Sequence, residues 1–594
     1  DGDEVLLDAD EIISKKEKKE FIYEERIFPI GDIRSNVTLY CVLSVFVTVV
    51  FIAVMLHVVM ELPMFGDPNS ITNNEVAARY LEKGIAETGA INFVAGMILD
   101  YRAFDTFGES NVLFMAVIAV LMLLQRDKKI PIWGIGKAGM TVQATLLQDD
   151  RVLETQSTQV KEDGTFYLEL SGRCGSFICY SLVLECQGEK ISYQDVLIGE
   201  VYLAAGQSNM EFPILFSQNR KELLEQANNS NLRFCRVYRN VSTEVPRMKE
   251  PQFEATVVWG RGDSASALDS ISAVAYSFIF HLYQMTGEKW PIAFVDISQG
   301  GARLETFLSR SQIDALPLLH KIISEENREE DHWGTHGADN YNEIMGMYHE
   351  RVCPIEHIKV KGILWYQGEG NLGTQEKSDA YVPAFEELCR GFSRYFGDNE
   401  EELPVIYAML APYDYSEWNA ELGLPLFWEA QHQIALNNPD TMREIPIYDL
   451  PLEYVPPEIA NDYPPETFHP IHPICKFPVG KRMAEAAMEL VYHVGMKYMP
   501  PFPVSYEVAS DRVKVTFSAI SQLKSLDGEK LQGFCICGED RRFVPAEAEL
   551  CGEKEIAVYS AEVKHPVAVT YAFQNLNHGS NLCDNEGRMA VPFR

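Results

Sequence analysis

A parallel β-sheet with helices on both faces, flanked by antiparallel β-domains and preceded by a helical membrane segment, is the α/β architecture this sequence predicts. Three observations carry that prediction. Apolar strand runs at 201–205, 292–297, 363–366 and 405–410 alternate with helical patterns such as 273–285 and 479–494. That alternation marks a parallel sheet covered by helices. The regions 129–193 and 501–594 instead alternate polar and apolar residues in short runs separated by turn residues such as Asp163-Gly164, the pattern of half-buried antiparallel strands. Finally, 37–60 carries no formal charge apart from His57 and exceeds the roughly 20 residues that cross a bilayer.

Composition bounds the rest. A chain of 594 residues, 46% hydrophobic and 11% aromatic, has the makeup of two or more packed domains. Its formal net charge of −35 repels a phosphate backbone, and no basic stripe offsets it, so nucleic acid is not an expected partner. The 12 cysteines include no C-x-x-C pair, which argues against a zinc knuckle or a thioredoxin-type site. Their scatter suggests free thiols in a reducing compartment. The chain begins at Asp1, as expected of a piece of a longer protein.

In chain order, 1–36 is a charged segment and 37–124 a membrane segment with about two helices, the second at 112–124. Lys15, Lys16, Lys18 and Lys19 precede the first span, and Arg126, Lys128 and Lys129 follow the second. By the positive-inside rule both ends lie in the cytoplasm, with the catalytic part there as well. An N-terminal β-domain is expected at 125–198, an α/β domain at 199–498 and a C-terminal β-domain at 499–594.

Ligand sites in open α/β sheets lie beyond the carboxyl ends of the strands, and four polar clusters fall at such places. Gly206-Gln207-Ser208-Asn209-Met210 puts a serine on a strand-to-helix turn, where its own N–H can face a developing oxyanion. Gln299-Gly300-Gly301 lets backbone N–H groups approach a ligand. Gln367-Gly368-Glu369-Gly370-Asn371 offers side-chain amides to an oxyanion, with Glu369 able to orient a neighbour. His469-Pro470-Ile471-His472-Pro473 places a histidine just before the last helix, where a general base fits. Each of these alone is also an ordinary turn, helix cap or structural histidine.

Together and in this order, the four clusters resemble the sialate O-acetylesterase family of SGNH-type hydrolases. The resemblance runs from about 122 to 594. It also takes in Ile130-Pro131-Ile132-Trp133-Gly134, Gln194-Asp195-Val196-Leu197-Ile198-Gly199-Glu200 and Pro592-Phe593-Arg594. It implies a flavodoxin-like sheet and a carbohydrate O-acetylesterase of the sialate 9-O-acetylesterase type. Ser208 is then the nucleophile and His472 the base. Gly300, Gly301, Gln367 and Asn371 are the oxyanion donors, and Gln207, Asn209 and Glu369 support them. No metal or organic cofactor is implied. Many relatives carry an acid two or three residues before the histidine. Here Pro470 and His469 stand at those positions, which leaves Glu466, Asp462 or a simple dyad. His469 competes as base, but Lys476-Phe477-Pro478-Val479-Gly480 sets the register on His472. Arg303 is a candidate for a helix-surface salt bridge or for a partner of a sialic acid carboxylate, and acetylated xylan fits equally well as substrate.

A second resemblance covers 62–124. Glu87-Thr88-Gly89-Ala90-Ile91-Asn92 and Asp100-Tyr101-Arg102-Ala103-Phe104-Asp105-Thr106-Phe107-Gly108-Glu109 are similar to small membrane subunits of sodium/proton antiporters and membrane-bound hydrogenases. Two alternatives therefore stand beside the esterase: a non-catalytic carbohydrate-binding relative, and a membrane subunit fused to an esterase. The string 120–124 can end the membrane helix or begin the β-domain.

Overall fold

The computed structural model describes residues 122–594, apart from 227–228, 239–255, 327–341, 399–401, 419, 455–468, 496 and 577–578. The chain divides into two compact units, Asp1–Phe107 and Gly108–Arg594, and every described residue belongs to the second. The expected span 37–60 and most of 112–124 lie outside the described residues. The described end of that second stretch is not helix. Leu123–Gln125 forms strand β1, parallel to residues 197–199. The reason lies in its partners. Met122 and Leu123 are buried in the core, and the Gln125 side chain accepts from Val201 N at 2.8 Å and donates to Glu200 at 2.9 Å. Among the described residues no helix is long and apolar enough to cross a membrane.

The N-terminal β-domain consists of β1, β2 (Ile130–Ile135), β3 (Thr141–Gln148), β4 (Arg151–Gln159), β5 (Thr165–Leu170), β6 (Ser176–Cys186) and the first half of β7 (Glu189–Gly206). β4, β3, β6 and β7 pair antiparallel in that order, and β2 pairs with β5. Strand β3 alternates buried Val142, Ala144 and Leu146 with polar neighbours, the period-2 pattern of a sheet with one dry face. β7 has 18 residues and runs uninterrupted into the next domain, where 197–206 is buried throughout.

There β7 becomes the middle of a mixed sheet with β8 (Asn229–Tyr238), β9 (Thr256–Gly262), β10 (Ile292–Asp296), β11 (Gly362–Tyr366), β12 (Val405–Ala408) and β13 (Met442–Ile445). The order is β13-β12-β11-β7-β10-β8-β9. All neighbours are parallel except the edge pair β8–β9. Without that hairpin the order from β10 to β13 is the flavodoxin-like 2-1-3-4-5. Both faces are covered. Tyr202 meets Phe278 of helix α2 (Ala273–Met285) on one face. Trp365 and Tyr407 meet Phe385 of helix α3 (Gln375–Phe396) on the other. Helix α4 (Gly423–Asn437) accepts the Tyr407 hydroxyl at the Gln431 carbonyl. The last helix, α5 (Phe477–Leu490), lies tight against α2. A Cβ on Gly480 would stand 2.4 Å from the Val274 carbonyl oxygen, so only glycine permits that approach.

Strands β14 to β22 (Phe502–Ala509 to Leu582–Asp584) make the small antiparallel sheets of the C-terminal domain. Asn575 fastens this domain to the α/β domain by donating to the Ala420 carbonyl and accepting from Leu424 N. The eleven cysteines among the described residues are unpaired.

Candidate active site

β10 pairs with one side of β7 and β11 with the other, and the chain crosses from β10 to β11 past β7, so the switch point of the sheet lies at the end of β7. Ser208 opens the short helix α1 (Ser208–Glu211) there, just after Gly206 and Gln207. Gly206 has φ +142°, and a Cβ on it would lie 2.2 Å from the Tyr366 carbonyl oxygen. A side chain at this position would push β7 away from β11 and move the serine.

The structure brings Ser208 and His472 together. Ser208 Oγ and His472 Nε2 are 2.7 Å apart. His472 is held down to about 4 by burial, with Lys476 and His469 adding repulsion. The imidazole is therefore neutral at pH 7, the form that accepts a proton. Asp462 and Glu466, the acids considered from sequence, lie outside the described residues. Among the described residues no carboxylate meets the other ring nitrogen. His469 stays 6.2 Å from His472 between ring centres, beside Tyr413.

Gln207 is a brace. Its Oε1 accepts from Gln367 Nε2 at 3.1 Å and from the N–H groups of Gly368 and Gly370 at 3.3 Å each. Gln367 and Asn371, expected as oxyanion donors, are turned toward protein acceptors. Gln367 Nε2 also donates to Asn371 Oδ1 at 2.6 Å and to the Ala302 carbonyl at 3.3 Å. Asn371 Nδ2 donates to Glu305 at 2.7 Å. The buried Gln367 amide is committed to acceptors within the fold, because a buried donor left unmatched is costly, and the partly buried Asn371 amide gives one of its N–H groups to Glu305. Gly300 lies beside the serine, but its N–H donates to Glu211 Oε2 at 2.5 Å. Gly301 supplies the left-handed turn after it, with φ +73°.

On the other side of Ser208, Asn209 Nδ2 donates to Glu369 and to the Ile471 carbonyl at 3.0 Å, and its Oδ1 accepts from Lys476 Nζ. Glu369 and Lys476 are both buried. Burial pushes Glu369 up and holds Lys476 down to about 7.

Ser208 and His472 also line a cavity of about 500 Å³ with Glu211, Phe212, Pro213, Leu215, Phe216, Arg236, Asp269 and Ser270. Arg236 pairs with Glu211 at 2.6 Å, and Arg220 clamps Asp269 through two bonds at 2.8 and 2.9 Å. Sequence reading missed this lining. Glu211 and Phe212 follow the serine by one helical turn, the one local signal for them, whereas Arg236 and Asp269 arrive from distant segments. Arg303 lies elsewhere. It pairs with Glu326 at 2.5 Å in a separate recess with Lys377. Among the described residues no cluster of His, Cys, Asp and Glu is arranged to hold a metal.

The comparisons with known proteins agree with this geometry. The family described as carbohydrate esterase, sialic acid-specific acetylesterase matches residues 198–441. The mouse sialate O-acetylesterase is 24% identical over 499 residues, covering 77% of this chain and 89% of that protein. The human sialate O-acetylesterase is 22% identical over 448 residues, covering 72% and 80%. A carbohydrate acetylesterase structure from Xanthomonas citri superposes with a TM-score of 0.65 at 25% identity, covering 80% of this chain and 98% of that one. The resemblance to sialate O-acetylesterases read from the motifs is thus borne out, with matches that cover 72–80% of the chain. A different family, MbhE, one of the MBH subunits, matches residues 41–131. That match runs through β1 into the start of β2.

Proposed function

We propose that this chain is a carbohydrate O-acetylesterase that works through an acetyl-enzyme on Ser208. The observation that carries the reading is the 2.7 Å contact between Ser208 Oγ and a neutral His472 at the wall of an open cavity. Ser208 Oγ attacks the acetyl carbonyl while His472 Nε2 takes its proton. Collapse of the tetrahedral intermediate expels the sugar oxygen, which receives that proton. Water, deprotonated by His472, then releases acetate. The Ser208 N–H faces the oxyanion, and the Gly300 N–H joins it once Glu211 gives up its bond. Each such donor is worth about 2.7–4 kcal/mol of barrier lowering.

The lining suits a sugar. Phe212 and Phe216 offer ring faces, with centres 6.3 Å apart, and Glu211, Arg236 and Asp269 offer hydroxyl partners. A sialate carboxylate would meet Arg236 and not Arg303, because only Arg236 lines the cavity. Aryl acetate turnover tests the mechanism: it is expected in the wild type and absent in Ser208→Ala, and equal rates would refute it. Acetylated sialic acid assayed against acetylated xylan oligomers then identifies the sugar.

The match over 41–131 favours a second reading for the N-terminal part, a membrane-complex subunit joined to the esterase. Esterase activity carried by one full-length chain in the membrane fraction supports it. Activity found only on a shorter soluble chain rules it out.

A further inference from the structure

The catalytic histidine stands on a loop, and a loop needs something to hold it against the nucleophile. Asn209, the residue after Ser208, reaches that loop at two points. It donates to the Ile471 carbonyl, one residue before His472, at 3.0 Å, and it accepts from Lys476, four residues after it. Its amide also donates to Glu369 at the end of β11. A single side chain thus joins the serine turn, the β11 loop and both flanks of the histidine. All three members are buried: Asn209 is 0% exposed, Lys476 1% and Glu369 5%. Lys476 also lies over the Phe212 and Tyr366 rings at 5.0 and 5.4 Å. Burying an ammonium and a carboxylate is expensive unless the pair is well held. Two apolar residues would pack here at lower cost, so packing alone does not explain the cluster.

We propose that Asn209, Lys476 and Glu369 are positioning residues for the esterase reaction, fixing the His472 loop through its backbone so that Nε2 stays within reach of Ser208. This rests on the esterase reading above. It is independent of which acid, if any, meets the other nitrogen of His472, because the cluster grips Ile471 and Lys476 and not the ring.

The titratable groups facing the cluster are His472, Cys475 and the tyrosines Tyr366, Tyr381 and Tyr415, and His469 faces His472. Removing the Lys476 charge lifts its repulsion from His472, so the acid limb of the rate profile moves up in pH. A merely structural lysine, far from the base, would leave that limb in place.

The test compares the full-length wild type with Asn209→Ala and Lys476→Met, which break the cluster from opposite ends. Each is measured below its own melting temperature, with Lys476→Arg as the conservative control. The readouts are kcat and KM on an aryl acetate, the acid limb, and the rate at which a fluorophosphonate labels Ser208. The expected result is a fall in kcat of roughly a hundredfold in both variants, as for a reacting group misplaced by about 1 Å. KM should stay within about twofold if the interaction acts only in the transition state. The acid limb should rise in Lys476→Met, and Lys476→Arg should restore part of kcat. Wild-type kcat and an unmoved acid limb in either folded variant overturn the inference while leaving the esterase reading intact. A wild type that neither turns over nor labels overturns both.

Discussion

The two flanks of Ser208 are built on opposite plans. On the β11 side, Gln207, Gln367, Asn371 and Asn209 fill a buried space in which the amide groups named above already have protein partners. On the β10 side, Glu211 and Arg236 hold each other at the edge of an open cavity. The first flank turns its amides mainly toward protein partners. The second places a partly buried carboxylate and guanidinium on the wall of the cavity that Ser208 lines. Positioning and recognition are therefore assigned to different sides of one serine. A satisfied buried network specifies one geometry, whereas an open site needs spare hydrogen-bonding capacity.

Substitutions on each side can break or sharpen that contrast. The largest effect belongs to the serine between them. Ser208→Ala should lower kcat by about 10⁴-fold or more, by analogy with nucleophile removal in serine hydrolases, without loss of melting temperature. On the β11 side, Gln367→Leu leaves Gln207 Oε1 and Asn371 Oδ1 each short of a donor. It should cost about 1–3 kcal/mol of stability, read by chemical denaturation, and kcat should fall with it. A stable, fully active Gln367→Leu would mean that this flank is filler. On the open side, Phe216→Ala should raise KM about tenfold for a sugar ester, with kcat and stability little changed, as expected when uniform binding is lost. The smallest effect is expected from Glu211→Gln. Removing one negative charge from the cavity should favour an acetylated sialate over a neutral acetyl sugar by about fivefold in kcat/KM, the scale of a partly exposed ion pair.

The pH profile probes the shared centre. Burial lowers the folded pKa of His472 to about 4, against about 6.5 for a free histidine. The base thus stays deprotonated through pH 5–6, and kcat/KM should hold there and fall only near pH 4. The same shift has a stability sign. Between about 4 and 6.5 the unfolded chain binds the proton that the folded one refuses, so this group's contribution to stability grows as pH rises through that window. An acid limb near 6.5 would show that an unseen acid pairs with His472 and restores its basicity.

How far the sequence revealed these features follows from how local they are. The run 273–285 becomes α2 with the same bounds, because a continuous period needs no distant partner. Ser208, Gly300, Gln367 and His472 stand out in the sequence as candidates because each lies at a strand end or just before a helix. The commitment of Gln367 and Asn371 to Gln207 and Glu305 was not legible. An amide's donor direction depends on acceptors 66 or more residues away, as in the Asn371–Glu305 bond. Lys476 served only as a register mark, since nothing in its neighbours announces a fully buried ammonium. β8 and β9 were missed as an added hairpin, and β1 was divided between two readings of one apolar string.

Strand β7 has a consequence for reach. Its first half belongs to the antiparallel domain and its second half ends at the nucleophile. The two domains are joined along one strand, with Asp195 at φ +56° near the point where its partners change. Any grip that the N-terminal domain has on a polymeric substrate would be carried to the nucleophile along that strand.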